Sequence, residues 1–188
     1  MKRIFIAIDI SDEARRRAAA HIDELRTGVK NLRVGWERPE KLHLTLKFLG
    51  DVTNERLEKL KGAVEQAASL AGPFDLRTGK TGVFPSIRKA RVLWLGLEDA
   101  GGELQRLHRI LETECEKAGF ARETRDFKPH LTIARLREPG KSAGLAGAHL
   151  RAQIGPVEFE VPEIVIYESR LAPTGSIYTP VFKHKLTR

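Results

Sequence analysis

Two short stretches of this sequence, His43-Leu44-Thr45 and His130-Leu131-Thr132, carry the same polar signature 87 residues apart. Displacing the chain by that interval also brings Arg38 onto Arg125, Lys41 onto Lys128 and Leu49 onto Leu136. Leucine-rich strands align with almost anything, so their overlap alone constrains little. One polar signature recurring in one structural slot constrains much more. It predicts two copies of a β-α-β-α-β unit, over about residues 1–87 and 88–175, with a hairpin remainder at the C-terminus. No low-complexity segment separates the copies. A single bilobal domain over 1–188 is therefore expected, with strands free to exchange between the contiguous halves.

Hydrophobic periodicity supplies the elements. A first strand is predicted at about Ile4–Ile10. A helix follows from Ser11 or Asp12 to about Gly28, with Ala14, Ala18, Ile22 and Leu25 on one face. After a polar, proline-containing stretch, Leu42–Phe48 alternates with period two and reads as a strand. Thr53 or Asn54 caps a helix running to about Leu70, and Phe74–Val83 is extended, ending in the turn-like Phe84-Pro85-Ser86. The pattern then restarts with a strand at Arg91–Leu97, a helix at Gly101–Ala118 and a strand at His130–Ala134. A weaker, glycine-interrupted helical stretch covers Lys141–Ala152. Val157–Tyr167 and Ile177–Lys185 read as strands joined by the turn Pro173-Thr174-Gly175.

Composition removes several classes of function. The chain is 41% hydrophobic, too apolar for disorder, yet it has no apolar run long enough to span a membrane. Asp9 cuts short the opening apolar run, which reads as a strand rather than a signal peptide. The lone cysteine, Cys115, supports neither an internal disulfide nor a cysteine-based zinc site, and the cytoplasm is the expected location. A formal net charge of +8 favours a polyanionic partner without specifying one.

Residues two apart on a strand point the same way. His43 therefore shares a face with Thr45, and His130 with Thr132, while Leu44, Leu46 and Phe48, like Leu131 and Ile133, are assigned to the core. Duplication suggests that the two imidazoles face each other across a cleft. Histidine titrates near neutrality, so one neutral ring can take a proton from water while a protonated ring gives one to a departing alkoxide. An in-line displacement at phosphorus needs base and acid on opposite sides. The threonine hydroxyls can donate to the non-bridging oxygens. Such a site needs no metal, no cofactor and no covalent intermediate. Two histidines without a third ligand at a telling spacing make a poor zinc site.

His43-Leu44-Thr45-Leu46-Lys47-Phe48-Leu49-Gly50 and Lys128-Pro129-His130-Leu131-Thr132-Ile133-Ala134-Arg135-Leu136 resemble the twin HxTx motifs of the two-histidine (2H) phosphoesterase superfamily. The likeness is to its RNA 2′,3′-cyclic phosphodiesterases, historically called 2′-5′ RNA ligases. It extends to Arg3-Ile4-Phe5-Ile6-Ala7-Ile8, Gly82-Val83-Phe84-Pro85 and Tyr167-Glu168-Ser169-Arg170-Leu171, followed by Gly175 and Tyr178. The resemblance implies an α+β fold of two pseudo-symmetric lobes, with mainly antiparallel sheets flanked by helices, around a central cleft. It implies opening of an RNA terminal 2′,3′-cyclic phosphate to a 2′-phosphate, the 3′ oxygen leaving. His43 would be the general acid, His130 the general base, and Thr45 and Thr132 the phosphate holders. Arg135 falls in the slot of a phosphate-contacting arginine. An ideal strand puts it on the face opposite His130, so a bulge, twist or strand end must intervene. With a 5′-hydroxyl in place of water, the same pair would reversibly join a cyclic phosphate to it as a 2′-5′ bond.

Two other readings remain open from the residues: a phosphodiesterase for small cyclic nucleotides, and a nucleotide- or RNA-binding module without turnover. Lys41 and Lys128 precede the histidines and either line the cleft or face water. Trp36, Phe84 and Tyr167 are candidates to stack on a base. Arg15-Arg16-Arg17 reads as a solvated helix face, and His21, His108, His149 and His184 read as structural. Oligomeric state has no signature in the sequence.

Overall fold

The run Ile4–Ile8 is apolar at every position, which suits a strand covered on both faces. In the computed structural model, which describes residues 1–29, 31–173 and 175–187, these five residues are all buried within β1 (Lys2–Asp9). Ser11 caps α1 (Asp12–Thr27), its hydroxyl accepting from the Ala14 N–H. β2 (Val34–Trp36), a three-residue strand inside the stretch read as polar loop, precedes β3 (His43–Val52). Thr53 caps α2 (Asn54–Ser69) in the same way, before β4 (Phe74–Phe84). Then come β5 (Val92–Glu98), α3 (Glu103–Lys117), β6 (His130–Leu136) and the short α4 (Ala143–Arg151). The single strand expected over Val157–Tyr167 is two, β7 (Glu158–Val161) and β8 (Glu163–Ala172), interrupted at Pro162. Proline offers no N–H to a ladder, which accounts for the break. β9 (Gly175–Lys185) completes the hairpin; Thr174 of the expected turn lies outside the described residues.

The strands form one antiparallel sheet in the order β7-β4-β5-β6-β3-β1-β8-β9, with β2 added against the far end of β6. The 87-residue displacement maps β1 to β5, β3 to β6 and β4 to β8, and each pair lies at equal distance from the β3–β6 junction. The strands are exchanged: β4 pairs with β5 although they lie in different copies, and β8 pairs with β1. The helices follow, α2 packing on α3 beside β8 and β9, and α4 on α1 beside β4. Each half of the α+β fold thus draws on both contiguous copies, and the halves flank a central cleft.

β3 and β6 meet at one residue pair, Leu44 opposite Leu131, both fully buried. These leucines are themselves 87 residues apart. An antiparallel pair of equivalent residues places the local two-fold between them.

Each central strand also carries a bulge. Along β1–β3 the pairing passes from Ala7–Thr45 to Ile6–Lys47, skipping Leu46. Along β5–β6 it passes from Trp94–Thr132 to Leu93–Ala134, skipping Ile133. An extra residue reverses the alternation beyond it. Phe48, assigned to the core on strict alternation, is therefore 53% exposed on the cleft side, and Lys47 is buried in its place. The Lys47 ammonium donates to both Glu112 carboxylate oxygens at 2.8 Å and to the Ala121 carbonyl at 2.9 Å. Glu112 also accepts the Glu123 N–H at 3.0 Å, so this pair ties β3 and α3 to the loop that leads into His130.

Removing one partner strands the other charge in the core. Lys47→Met should lower stability by about 3–5 kcal/mol in denaturant titrations. The double replacement Lys47→Met/Glu112→Leu should recover most of that loss.

Candidate active site

Continuing the Leu44–Leu131 register sets His43 beside Thr132 and Thr45 beside His130. All four lie on the sheet face opposite the two leucines. The rings are oriented by one repeated device. His43 Nδ1 lies 2.6 Å from the carbonyl of Lys41, and His130 Nδ1 lies 2.6 Å from the carbonyl of Lys128. A carbonyl only accepts, so Nδ1 carries the hydrogen in both rings. Each neutral ring then has its lone pair on Nε2. For His43 that atom is 3.0 Å from the Thr45 hydroxyl.

Aromatic groups wedge both rings. Phe5 lies 4.9 Å from His43 and Tyr178 meets it edge-on at 5.3 Å. Phe84 meets His130 edge-on at 5.1 Å, with Trp94 at 6.1 Å. A side chain on Gly82 would fall 2.0 Å from the Trp94 ring, so that wall requires glycine there. Burial pushes both imidazoles below the usual histidine value. For His43 the Lys41 carbonyl and the Asp9 carboxylate oppose the shift, while Arg15 and Arg135 add to it. For His130 the Lys128 carbonyl opposes it and Arg135 adds to it.

The histidines and threonines open on a cleft of about 550 Å³. Arg3, Arg38, Lys41, Arg135 and Arg137 line it, against one carboxylate, Glu37, among the described lining residues. Glu37 is shifted upward by burial, partly offset by the Arg38 N–H and by the charges of Lys41 and Arg135. Arg135 reaches the cleft because the bulge at Ile133 restores it to the face of His130 and Thr132. The residue matched to it in the first copy is Phe48, whose ring lies 5.0 Å from the Arg3 guanidinium carbon. One slot of the repeat thus brings a guanidinium to the cleft in the second copy and a phenyl ring in the first.

The remaining candidates separate. Lys41 lines the cleft, its ammonium donating to the Ser176 carbonyl, whereas the Lys128 side chain is exposed. Trp36 lines the cleft. Phe84 walls His130, and Tyr167 stacks on Phe5 at 5.3 Å while donating its hydroxyl to Asp9, so neither lines the cleft. Arg15 is not merely a solvated helix residue. Its guanidinium donates to the carbonyls of Pro39 at 2.6 Å, Leu42 at 3.2 Å and Ile10 at 3.4 Å, clamping the turn whose Lys41 carbonyl orients His43. In the second copy Pro129 stiffens the corresponding step.

His21 and His149 form a buried pair at 2.9 Å, with His149 Nε2 donating to the Gly82 and Trp94 carbonyls and burial pulling its pKa down to about 4. His108 stacks on Phe127 at 3.9 Å, and His184 Nε2 is 3.8 Å from Glu65. Cys115 is buried and its thiol is pushed up to about 12, far from thiolate chemistry at neutral pH. Among the described residues no cluster of three or more His, Cys, Asp or Glu is placed to hold a metal. Alternation alone missed the cleft positions of Phe48 and Arg137, and Arg3 and Tyr178 entered only through the resemblance. The adjacent apolar pair Ile133-Ala134 was the one sequence sign of a bulge.

A family model described as the 2′-5′ RNA ligase superfamily matches residues 14–172. The chain belongs to the 2′-5′ RNA ligase superfamily. Within that superfamily it is 36% identical over 180 residues to an RNA 2′,3′-cyclic phosphodiesterase of Methanothermobacter thermautotrophicus, covering 94% of this chain and 95% of that one. A second, from Thermotoga maritima, is 31% identical over 182 residues, covering 96% and 94%. Among solved structures, E. coli LigT complexed with 3′-AMP superposes with a TM-score of 0.75 at 26% identity, covering 100% of this chain and 99% of that one.

The repeated carbonyl contact has a direct spectroscopic consequence for this superfamily member. Long-range ¹⁵N correlation spectra at alkaline pH should show His43 and His130 as Nδ1–H tautomers. Both titration midpoints should fall below the ordinary histidine value, and Arg135→Ala should raise both, because the arginine charge disfavours each imidazolium. Nε2–H tautomers would contradict the assigned hydrogen bonds.

Proposed function

We propose that this protein hydrolyses RNA terminal 2′,3′-cyclic phosphate to a 2′-phosphate by metal-independent acid–base catalysis at His43 and His130. The observation that carries the reading is the matched pair of imidazoles across the Leu44–Leu131 junction, each presenting Nε2 on the face that bears Thr45 and Thr132. The names of the relatives supply the substrate class.

His130, neutral, accepts a proton from water as that water's oxygen bonds to phosphorus. The bond between phosphorus and the 3′ oxygen breaks, and His43, protonated, gives its Nε2 proton to that oxygen. The two histidines finish with exchanged protonation states, which solvent resets. Thr45 and Thr132 donate to the non-bridging oxygens, and Arg135 balances the charge that gathers there. A 5′-hydroxyl attacking in the place of that water, with the same 3′ oxygen leaving, would give the 2′-5′ bond of ligation. Two aromatic rings open to the cleft, Trp36 beside β6 and Phe48 on β3, support an RNA end over a bare cyclic mononucleotide. A cytoplasmic setting fits the lone buried Cys115, and no described helix is long and apolar enough to cross a membrane.

An oligonucleotide ending in a 2′,3′-cyclic phosphate should be turned over in EDTA, with a 2′-phosphate as product and a bell-shaped dependence of kcat/KM on pH. Because burial depresses both imidazoles, the bell should sit lower than two ordinary histidines would place it. His43→Ala and His130→Ala should each cost about 10²-fold or more, and Thr132→Val or Arg135→Ala about 10²-fold. Nucleotide binding without turnover would establish the binding-module reading instead. Equal kcat/KM on a cyclic mononucleotide and the oligomer would favour a small-nucleotide enzyme.

A further inference from the structure

The two histidines are held by the same device on equivalent strands of the two copies, so nothing in that device decides which gives the proton and which takes it. A difference between the copies must. β1 sets Asp9 directly opposite His43, and β5 sets Gly96 directly opposite His130. Asp9 and Gly96 are 87 residues apart, so one slot of the repeat holds a carboxylate in the first copy and no side chain in the second. We propose that Asp9 is the positioning residue that assigns the acid role to His43, leaving His130 as the base. The proposal rests on the reading of His43 as proton donor.

Directly opposed residues carry their Cβ atoms about 4.5–5.5 Å apart on one face, within range of a charge–imidazolium interaction. Asp9 and His43 share a second cavity, of about 440 Å³, next to the cleft. The carboxylate is fixed there, accepting the Tyr167 hydroxyl at 2.8 and 2.9 Å. Around His43 the other groups are Arg15 from α1, Arg38, Glu40 and Lys41 from the segment before β3, Arg135 from β6, Tyr167 from β8 and Tyr178 from β9. Lys183 of β9 feels Asp9 but is paired with Glu163. Arg15 and Arg135 oppose the imidazolium at His43, and Asp9 answers them from the adjacent strand. At His130 the charged neighbour is Arg135, which favours the neutral ring.

Asp9→Asn keeps the shape and a hydrogen-bonding oxygen while removing the charge. On an oligonucleotide with a 2′,3′-cyclic phosphate end, the alkaline limb of kcat/KM should move to lower pH by about one unit. Above that limb the loss is then about tenfold, with the acid limb unmoved. In NMR titrations the His43 midpoint should fall and that of His130 stay. Tyr167→Phe, which removes the hydrogen bond but keeps the carboxylate, should leave the alkaline limb near its wild-type place. An unmoved limb and an unmoved His43 midpoint in Asp9→Asn would overturn the proposal, as would an equal displacement in Tyr167→Phe. His43→Ala separates the two levels. Full activity in that variant removes the donor reading itself, whereas an inactive His43→Ala beside an unshifted Asp9→Asn removes only the role of Asp9.

Discussion

The contact between Leu44 and Leu131 is the point on which the molecule turns. It is the one place where β3 and β6 pair, it joins equivalent residues of the two copies, and both side chains are fully buried. An antiparallel bridge between equivalent residues has its two-fold at the bridge, so whatever one strand presents beside its leucine the other presents reversed. His43 and Thr45 thereby meet Thr132 and His130. The leucines face the core and the polar pairs face the cleft, because successive side chains leave a strand on opposite sides. Folding the core and assembling the site are the same event. The sheet is closed to the other chain half on both flanks by exchanged strands, β4 on β5 and β8 on β1.

Symmetry supplies the pair of imidazoles, and departures from symmetry make the pair useful. The bulges at Leu46 and Ile133 are equivalent, yet what they return to the cleft differs: Phe48 in one copy and Arg135 in the other. The groove is therefore two-fold in its backbone but not in the side chains it presents. The carbonyls that hold the two Nδ1 atoms are also steadied differently, by the Arg15 clamp before His43 and by Pro129 before His130. Asp9 facing His43, with Gly96 in the matching place, belongs to the same set of differences.

Much of this was legible in the sequence, because the signals were periodic. The repeat, the four helices, most strands and the shared faces of His43 with Thr45 and His130 with Thr132 follow from patterns of period two and 3.6. The bulges were not legible from alternation, since a single inserted residue flips parity without changing composition. Strict alternation therefore placed Phe48 in the core, where the structure buries Lys47 instead. Lys47 also shows why: its burial depends on Glu112, sixty-five residues away, and no local pattern announces such a partner. Arg15 looked like a surface arginine for the same reason, its three carbonyl partners being brought to it by the fold. Strand exchange and the short β2 were hidden because pairing partners are non-local.

The central claim is that the two Nε2 atoms stand on opposite sides of one phosphorus. A crystal structure with a 2′,3′-cyclic nucleoside vanadate, which mimics the five-coordinate phosphorus of in-line displacement, tests it most directly. The expected result is a trigonal bipyramid whose apical oxygens face His43 Nε2 and His130 Nε2, with equatorial oxygens on the Thr45 and Thr132 hydroxyls. Vanadate with both histidines on one side, or held away from either ring, would contradict it.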